Sequence, residues 1–407
     1  MRRLFLIIWS VVYPLLALVA SPFWLIKMCR RGGWGSGLLE RIGIYRRDAE
    51  FERSGGIDVH AVSVGEFLLA LRLIDKWREM QPSDHFILVP TTATGMAIAR
   101  EKAAADTRVV YAPLDLGFLV KRTFKRFDPR VVIMIESELW PNLIFRAHEL
   151  GIPLGLVNSR LSPRSARRLT KARALVAPFF ELLDHVGVPE EADLSRWQGL
   201  GVDAKVTVHT GNIKFDPEGA EVPKRRDEFT RILKQFPQTK IAIAASTFEG
   251  EEEYLADAFK EAGLLPVIVP RHAERRDEVR KAILGEVVLR SRFEKPGKEG
   301  VLVVDSTGEL RDWIAHADVV VIGKSIFEKG GQNPTEAILA QVPVICGPHM
   351  ANFEPLVSEL SSAGGITFAR DRVELMTALK DIPNSANAAM AVLEKHRGAM
   401  ARTIEMF

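Results

Sequence analysis

Cysteine is nearly absent: the 407-residue chain has two, Cys29 and Cys346. Two such distant thiols build neither a disulfide framework nor a cysteine metal site, and the usage suits a reducing compartment. An excess of charge of one sign is also missing. Lys and Arg number 55 against 52 Asp and Glu, a formal net charge of +3, which gives no electrostatic footprint for nucleic acid but tolerates anionic lipid or a phosphorylated substrate. No low-complexity tract and no short solenoid period organises the chain. Apolar residues are plentiful, 47% of the sequence, enough for two cores in a chain whose length predicts two to three domains.

Leu4 to Ile26 carries no charged side chain. At about 1.5 Å per residue, a helix of that length reaches across a hydrocarbon layer roughly 30 Å thick, so residues 1–32 are expected to form an N-terminal membrane anchor rather than a cleaved signal peptide. Arg2 and Arg3 precede the run, whereas Lys27, Arg30, Arg31, Arg41, Arg46 and Arg47 follow it. That bias places the rest of the chain on the cytoplasmic side. Pro14 and Pro22 leave a kinked, interfacial (monotopic) helix open beside a single pass.

Beyond the anchor, short apolar runs alternate with helical patterns. In the first half they are Ile57–Val62, Phe86–Pro90, Val109–Tyr111, Val131–Ile135, Leu154–Asn158 and His185–Val188; in the second, Ile241–Ala245, Val267–Val269, Val287–Leu289, Val301–Val304, Val319–Ile322 and Val344–Cys346. Strand–helix alternation predicts parallel sheets covered on both faces, in two Rossmann-like doubly wound α/β lobes facing a cleft. The boundaries expected are 33–213 for the first lobe, 214–228 for a polar linker and 229–407 for the second.

The sharpest junction is His60-Ala-Val-Ser-Val-Gly-Glu66, a strand delivered straight into a helix start. Ligands of open α/β sheets bind at such edges, where unpaired N–H groups and the positive helix end converge. Glu66 has two readings here: a carboxylate for chemistry, or the last member of a Ser63-x-x-Glu66 capping box. Ser246-x-x-Glu249, Ser306-x-x-Glu309 and Asn333-x-x-Glu336 repeat that pattern. Glu136 and Glu138 close another strand, where two carboxylates suit a metal, a hydroxyl or simply a solvated turn before Pro141. Arg271 follows a strand, a place to pair with phosphate, while Lys214 lies at the expected lobe crossing. Arg160, Arg164, Arg167, Arg168, Lys171 and Arg173 make a basic stretch that is either a solvated helix face or a lipid-phosphate footprint. Gly199-x-Gly201 follows a helix and reads as its stop. Gly323-Lys324-Ser325 lacks the leading glycine of a P-loop. Ala61-x-Ser63-x-Gly65 resembles a nucleophile elbow in context only.

Taken together, His60–Glu66, Glu136-Ser-Glu-Leu-Trp-Pro-Asn142, Asn158-Ser-Arg-Leu-Ser162, Gly211-Asn-Ile-Lys-Phe-Asp216, Ser246-Thr-Phe-Glu-Gly-Glu251, Pro270-Arg-His272, Thr307-Gly-Glu309 and Gly330-Gly-Gln-Asn-Pro-Thr-Glu336 resemble the bacterial 3-deoxy-D-manno-octulosonic acid (Kdo) transferases of lipopolysaccharide assembly. The resemblance runs in order from about Leu39 to Gly365. It implies a GT-B glycosyltransferase, an inverting enzyme moving Kdo from CMP-Kdo to a hydroxyl of the lipid A precursor, next to inner membrane lipids and with no cofactor. The first lobe would then take the acceptor and the second the CMP-sugar. By the same resemblance Glu66 is the general base, and Glu136 and Lys214 stabilise the transition state. Pro270, Arg271, Thr307, Gly308, Glu309, Asn333, Pro334, Thr335 and Glu336 bind CMP, and Ser63, Gly65, Arg160 and Arg164 contact the acceptor. No metal is expected, in keeping with the lack of any Asp-x-Asp. Three positions depart from the pattern: Phe248 stands where His is usual, Gln332 where His is frequent, and Lys324 replaces a glycine. Another GT-B enzyme using a UDP-sugar, a serine hydrolase with Ser63 and an inert membrane-tethered binding module are the alternatives.

Overall fold

The strands are apolar on both faces because helices cover both faces of each sheet. In the computed structural model, which describes residues 2–31, 37–48, 50–136, 139–294, 297 and 300–407, they form two seven-stranded sheets with every pair parallel. The first holds β1 (Ile57–Ala61), β2 (Phe86–Pro90), β3 (Thr107–Val109), β4 (Val131–Ile135), β5 (Leu154–Val157), β6 (His185–Val188) and β7 (Thr207–His209), in the order β3-β2-β1-β4-β5-β6-β7. The second holds β8 (Ile241–Thr247), β9 (Leu265–Pro270), β10 (Val287–Leu289), β11 (Val301–Val303), β12 (Val319–Ile322), β13 (Val344–Cys346) and β14 (Thr367–Phe368), in the order β10-β11-β9-β8-β12-β13-β14.

Each order reverses once. After β3 the chain returns to lay β4 on the free side of β1, and after β11 it returns to lay β12 on the free side of β8. At such a reversal the loops leaving the two adjacent strands diverge and open a crevice at the carboxyl edge. The crevices therefore lie past Ala61 and Ile135 in one unit and past Thr247 and Ile322 in the other.

Three expectations are corrected. The first unit comprises Met1–Asp216 together with Gly398–Phe407, and the second Pro217–Arg397. Lys214 to Asp216 thus belong to the first unit rather than to a linker, and the C-terminus does not stay with the second. The return is held by Asp216, whose carboxylate accepts the N–H groups of Gly398 (3.1 Å) and Met400 (2.8 Å), while Ala399, Met400 and Ile404 enter the core beside Ile57, Leu73 and Ile213. Nor does the helix within the expected anchor, Arg2–Arg31, stand apart. The helix Arg2–Arg31 buries Leu6 in the first unit's core, sets Phe5 against Phe179 at 5.1 Å between ring centroids and donates from Trp9 Nε1 to Asp115 at 3.0 Å. Its opposite face exposes Leu4, Ile7, Ile8, Val11, Leu15 and Val19. Among the described residues no helix is long and apolar enough to cross a membrane.

The basic stretch is likewise divided. Pro163–Lys171 forms one helix with no buried residue, and after a turn at Ala172 the helix Arg173–Phe180 buries Val176, Ala177, Phe179 and Phe180. Gly199 and Gly201 act as the expected helix stop, Gly201 at φ +109°.

Replacing Asp216 with Ala orphans two backbone donors, one of them in the core. Hydrogen bonds to a charged group are worth about 1.5–3 kcal/mol each, so Asp216→Ala should lower the urea midpoint of the full chain by an amount equivalent to at least about 2 kcal/mol; an unchanged midpoint would show that the C-terminal return is held by packing alone.

Candidate active site

Of the four Ser/Asn-x-x-Glu patterns, one folds as a capping box. Ser63 caps the helix Val64–Met80, accepting the Glu66 N–H at 3.2 Å, and Glu66 reaches back to accept from Ser63 N (3.2 Å) and Val62 N (2.8 Å). The other three fail for local reasons. At Ser246 the backbone turns left-handed (φ +59°) and Gly250 (φ +85°) delays the helix until Glu251; Glu309 is itself the N-cap of Leu310–Ile314; and Asn333 spends its oxygen on Thr335, N–H and hydroxyl both.

In the first unit, then, Glu66 is buried, 6% exposed, with each oxygen accepting one N–H. A carboxylate has about four acceptor directions, so the cap leaves half of its capacity. Across the β1/β4 crevice stands Glu136, at φ +64° directly after β4. Glu136 is exposed, yet the protein around its carboxyl raises its pKa, the charge of Glu66 adds to that, and Lys214 and Arg160 oppose it. Lys214 is half-buried, which lowers its pKa; Glu136 works against that shift and Arg160 with it. Two carboxylates, an ammonium and a guanidinium thus share one electrostatic site. Arg164 is not among them and sits exposed on the helix Pro163–Lys171. Ser63 and Gly65 line the helix start, Ser63 Oγ engaged as the cap acceptor. Glu138 lies outside the described residues.

Two further side chains position this group. Asn158, itself left-handed (φ +54°), accepts the Ile213 N–H through Oδ1 at 3.1 Å, and Asn212 Oδ1 accepts from Lys214 N at 3.1 Å, so the segment carrying Lys214 is pinned to the carboxyl end of β5. Asp115, which the motifs do not mark, accepts from Trp9, Asn142 N and Leu143 N and ties the start of Pro141–Leu150 to the N-terminal helix. Asp115, Tyr13, Arg41, His60 and Val62 line a small hollow.

The second unit gathers the remaining candidates at its own carboxyl edge. Pro270 ends β9, and Arg271 N donates to Thr247 O at 3.1 Å. Burial raises the pKa of Glu336, with Arg311 and Arg271 opposing, which places Arg271 and Glu336 in one field. Thr307 and Gly308 are exposed in the loop past β11, Pro334 and Thr335 are buried, and Asn333 is exposed. Glu309 is a structural hub, receiving Ser306 Oγ and pairing with Arg290 at 3.5 Å and Arg226 at 3.9 Å. Ser325, the end of the discarded P-loop pattern, is fully buried and bridges Ile322 O and Gly347 N. Glu251 ends a quoted motif but was given no role from the sequence: fully buried, it accepts from Phe248 N (3.0 Å), Lys324 N (2.7 Å) and Ile326 N (3.2 Å), and so fastens the loops leaving β8 and β12 to one carboxylate.

Two doubly wound parallel units in one chain, each with charged groups at its strand reversal, define a fold of the GT-B type. Solved structures agree on the fold: the chain is 12% identical to a putative UDP-N-acetylglucosamine 2-epimerase from Listeria monocytogenes, with 86% of this chain and 94% of that one covered at a TM-score of 0.56, and 15% identical to Anabaena HepE in complex with UDP, at 86%, 98% and 0.51. Residues 36–217 match the family model for 3-deoxy-D-manno-octulosonic-acid transferase (kdotransferase). The 3-deoxy-D-manno-octulosonic acid transferase of Haemophilus influenzae is 31% identical over 98% of both chains, and that of Bordetella pertussis 30% identical over 94% of both. The chain belongs to the Kdo transferase family.

His60, on β1, is nine-tenths buried and its Nε2 has no hydrogen-bond partner among the described residues. Burial lowers its pKa from 6.5 to about 4. Above pH 6.5 the ring is neutral folded or unfolded; as pH falls the unfolded chain takes up the proton first, so stability declines until pH 4 and then levels. The shift corresponds to roughly 3 kcal/mol. His60→Gln should remove that part of the acid loss, seen as a flatter melting temperature between pH 6.5 and 4; a parallel profile would assign the loss to other groups.

Proposed function

We propose that this enzyme transfers Kdo from CMP-Kdo to a hydroxyl of the lipid A precursor, inverting the anomeric centre. The observation that carries this reading is the family relationship along nearly the whole chain, joined to the position of Glu66 and Glu136 at one strand reversal. The same reading assigns the first unit to the acceptor, through Ser63, Gly65, Arg160 and Arg164, and the second to CMP, through Arg271 and the 307–309 and 333–336 segments.

In this mechanism Glu66 takes the proton of the acceptor hydroxyl as its oxygen bonds to the anomeric carbon. The bond from that carbon to the CMP phosphate breaks, and its electron pair leaves with the phosphate. The capping bonds to Val62 and Ser63 hold the carboxylate at a fixed place while one acceptor direction on each oxygen is kept for the proton. Lys214 supplies positive charge beside Glu136, stabilising charge that develops during transfer. Arg271 neutralises the departing phosphate, an arrangement suited to a bidentate guanidinium.

The membrane side of the proposal rests on the exposed apolar face of the helix Arg2–Arg31 and the basic helix Pro163–Lys171, whose arginines and lysine are exposed. A helix of that kind lies in the lipid interface of the inner membrane with the catalytic units on the cytoplasmic side.

Two experiments test these statements. With CMP-Kdo and lipid A precursor, the wild-type chain should add Kdo by mass, and Glu66→Gln, whose amide oxygen keeps one of the two capping bonds, should lower kcat by about 10²–10⁴-fold in protein that is still folded at the assay temperature; full activity in that variant removes Glu66 as the base, and transfer from a UDP-sugar instead would replace the donor. For the membrane, Leu15→Glu with Val19→Glu should abolish sedimentation with phosphatidylglycerol-containing vesicles, and undiminished binding would discard the interfacial role of this helix.

A further inference from the structure

Two of the three positions at which the chain departs from the family pattern, 248 and 324, meet in space. Phe248 is the first residue past β8 and Lys324 the second past β12, so both stand at the reversal of the second sheet, and Lys324 Nζ lies 4.5 Å above the Phe248 ring. The ring presents its negative face to the ammonium. On its other flank Phe248 meets His272 edge-on, ring centroids 6.2 Å apart, and the loop of Lys324 is joined to the Gly330–Glu336 segment by the Gly331 N–H donating to Lys324 O at 2.8 Å. Both loops are clamped below by Glu251.

Lys324 has φ +55°, a left-handed conformation that glycine adopts without cost and a side chain adopts with strain. A lysine placed there is held by its surroundings. Its ammonium has only a long ion pair, with the half-exposed Glu328 at 4.0 Å. The side chain is 27% exposed, so the charge is partly desolvated yet open at the crevice where open α/β sheets take their ligands.

We infer that Lys324, propped by Phe248, is a binding residue for an anionic group of the sugar nucleotide in the second unit. An aromatic ring carrying a lysine here supplies the positive charge that a histidine at position 248 would otherwise bring. The anion is the phosphate of the nucleotide or the carboxylate of the sugar acid. This rests on the donor reading above.

Calorimetric titration of the full chain with CMP and with CMP-Kdo separates these cases. Lys324→Gly should weaken CMP-Kdo about tenfold, Lys324→Arg should stay within about threefold of wild type, and Phe248→Leu, which keeps an apolar residue but removes the π face, should weaken it about threefold. Because glycine relieves the strained turn, the ligand-free melting temperature of Lys324→Gly should be no lower than wild type, so the loss is not one of folding. Equal weakening of CMP and CMP-Kdo assigns the phosphate; weakening of CMP-Kdo alone assigns the carboxylate. If Lys324→Gly binds both within twofold of wild type, the inference is wrong while the donor reading stands. If the wild-type chain binds neither, the donor reading falls and takes this inference with it.

Discussion

A buried carboxylate that collects backbone N–H groups is the device on which each unit's active edge depends. Glu66 ties Val62 and Ser63, at the end of β1, to the helix they enter; Glu251 ties the loops after β8 and β12 to a single helix start. A strand reversal opens a crevice because its loops part, and loops that part lack one another's support. A charged acceptor at the positive end of a helix supplies that support from below, each bond charge-assisted. The chemistry-bearing residues are then free to point outward without themselves holding the loops in shape.

The cost appears as backbone strain beside these carboxylates. Glu136, Asn158, Ser246 and Lys324 all take left-handed φ values within two residues of a strand end. Such turns bend the chain away from the sheet in one residue, and they persist where hydrogen bonding over-determines them. Asn158 shows the economy of the arrangement, since the side chain that tolerates the turn also fixes the segment bearing Lys214.

Much of the fold was legible because buried parallel strands are short, continuous apolar runs, and the central ones such as Phe86–Pro90, Val131–Ile135 and Val319–Ile322 appear with the bounds expected. The edge strands β7 and β14 were not, since three residues at Thr207–His209 and two at Thr367–Phe368 carry no apolar run of their own. The capping pattern was readable at Ser63 and misleading at Ser246, where Gly250 moves the helix start by four residues, to Glu251; the triplet Glu251-Glu-Glu253 after that glycine is the signal that could have marked the true hub. Asp115 carried no local signal at all, because the N–H groups it receives come from residues 142 and 143. The residues gathered around Glu136 were named by family resemblance, while their common field comes from topology, which sets β1 beside β4.

The return of residues 398–407 to the first unit also orders events in time. The second unit is continuous, so all of its strands exist once residue 397 has been made. The first unit is begun earlier but lacks Met400 and Ile404 from its interior until those residues have been made. During synthesis the half that starts first is therefore completed last, and a chain cut short after residue 397 leaves an open apolar seam along Ile57, Leu73 and Ile213 rather than a lost domain.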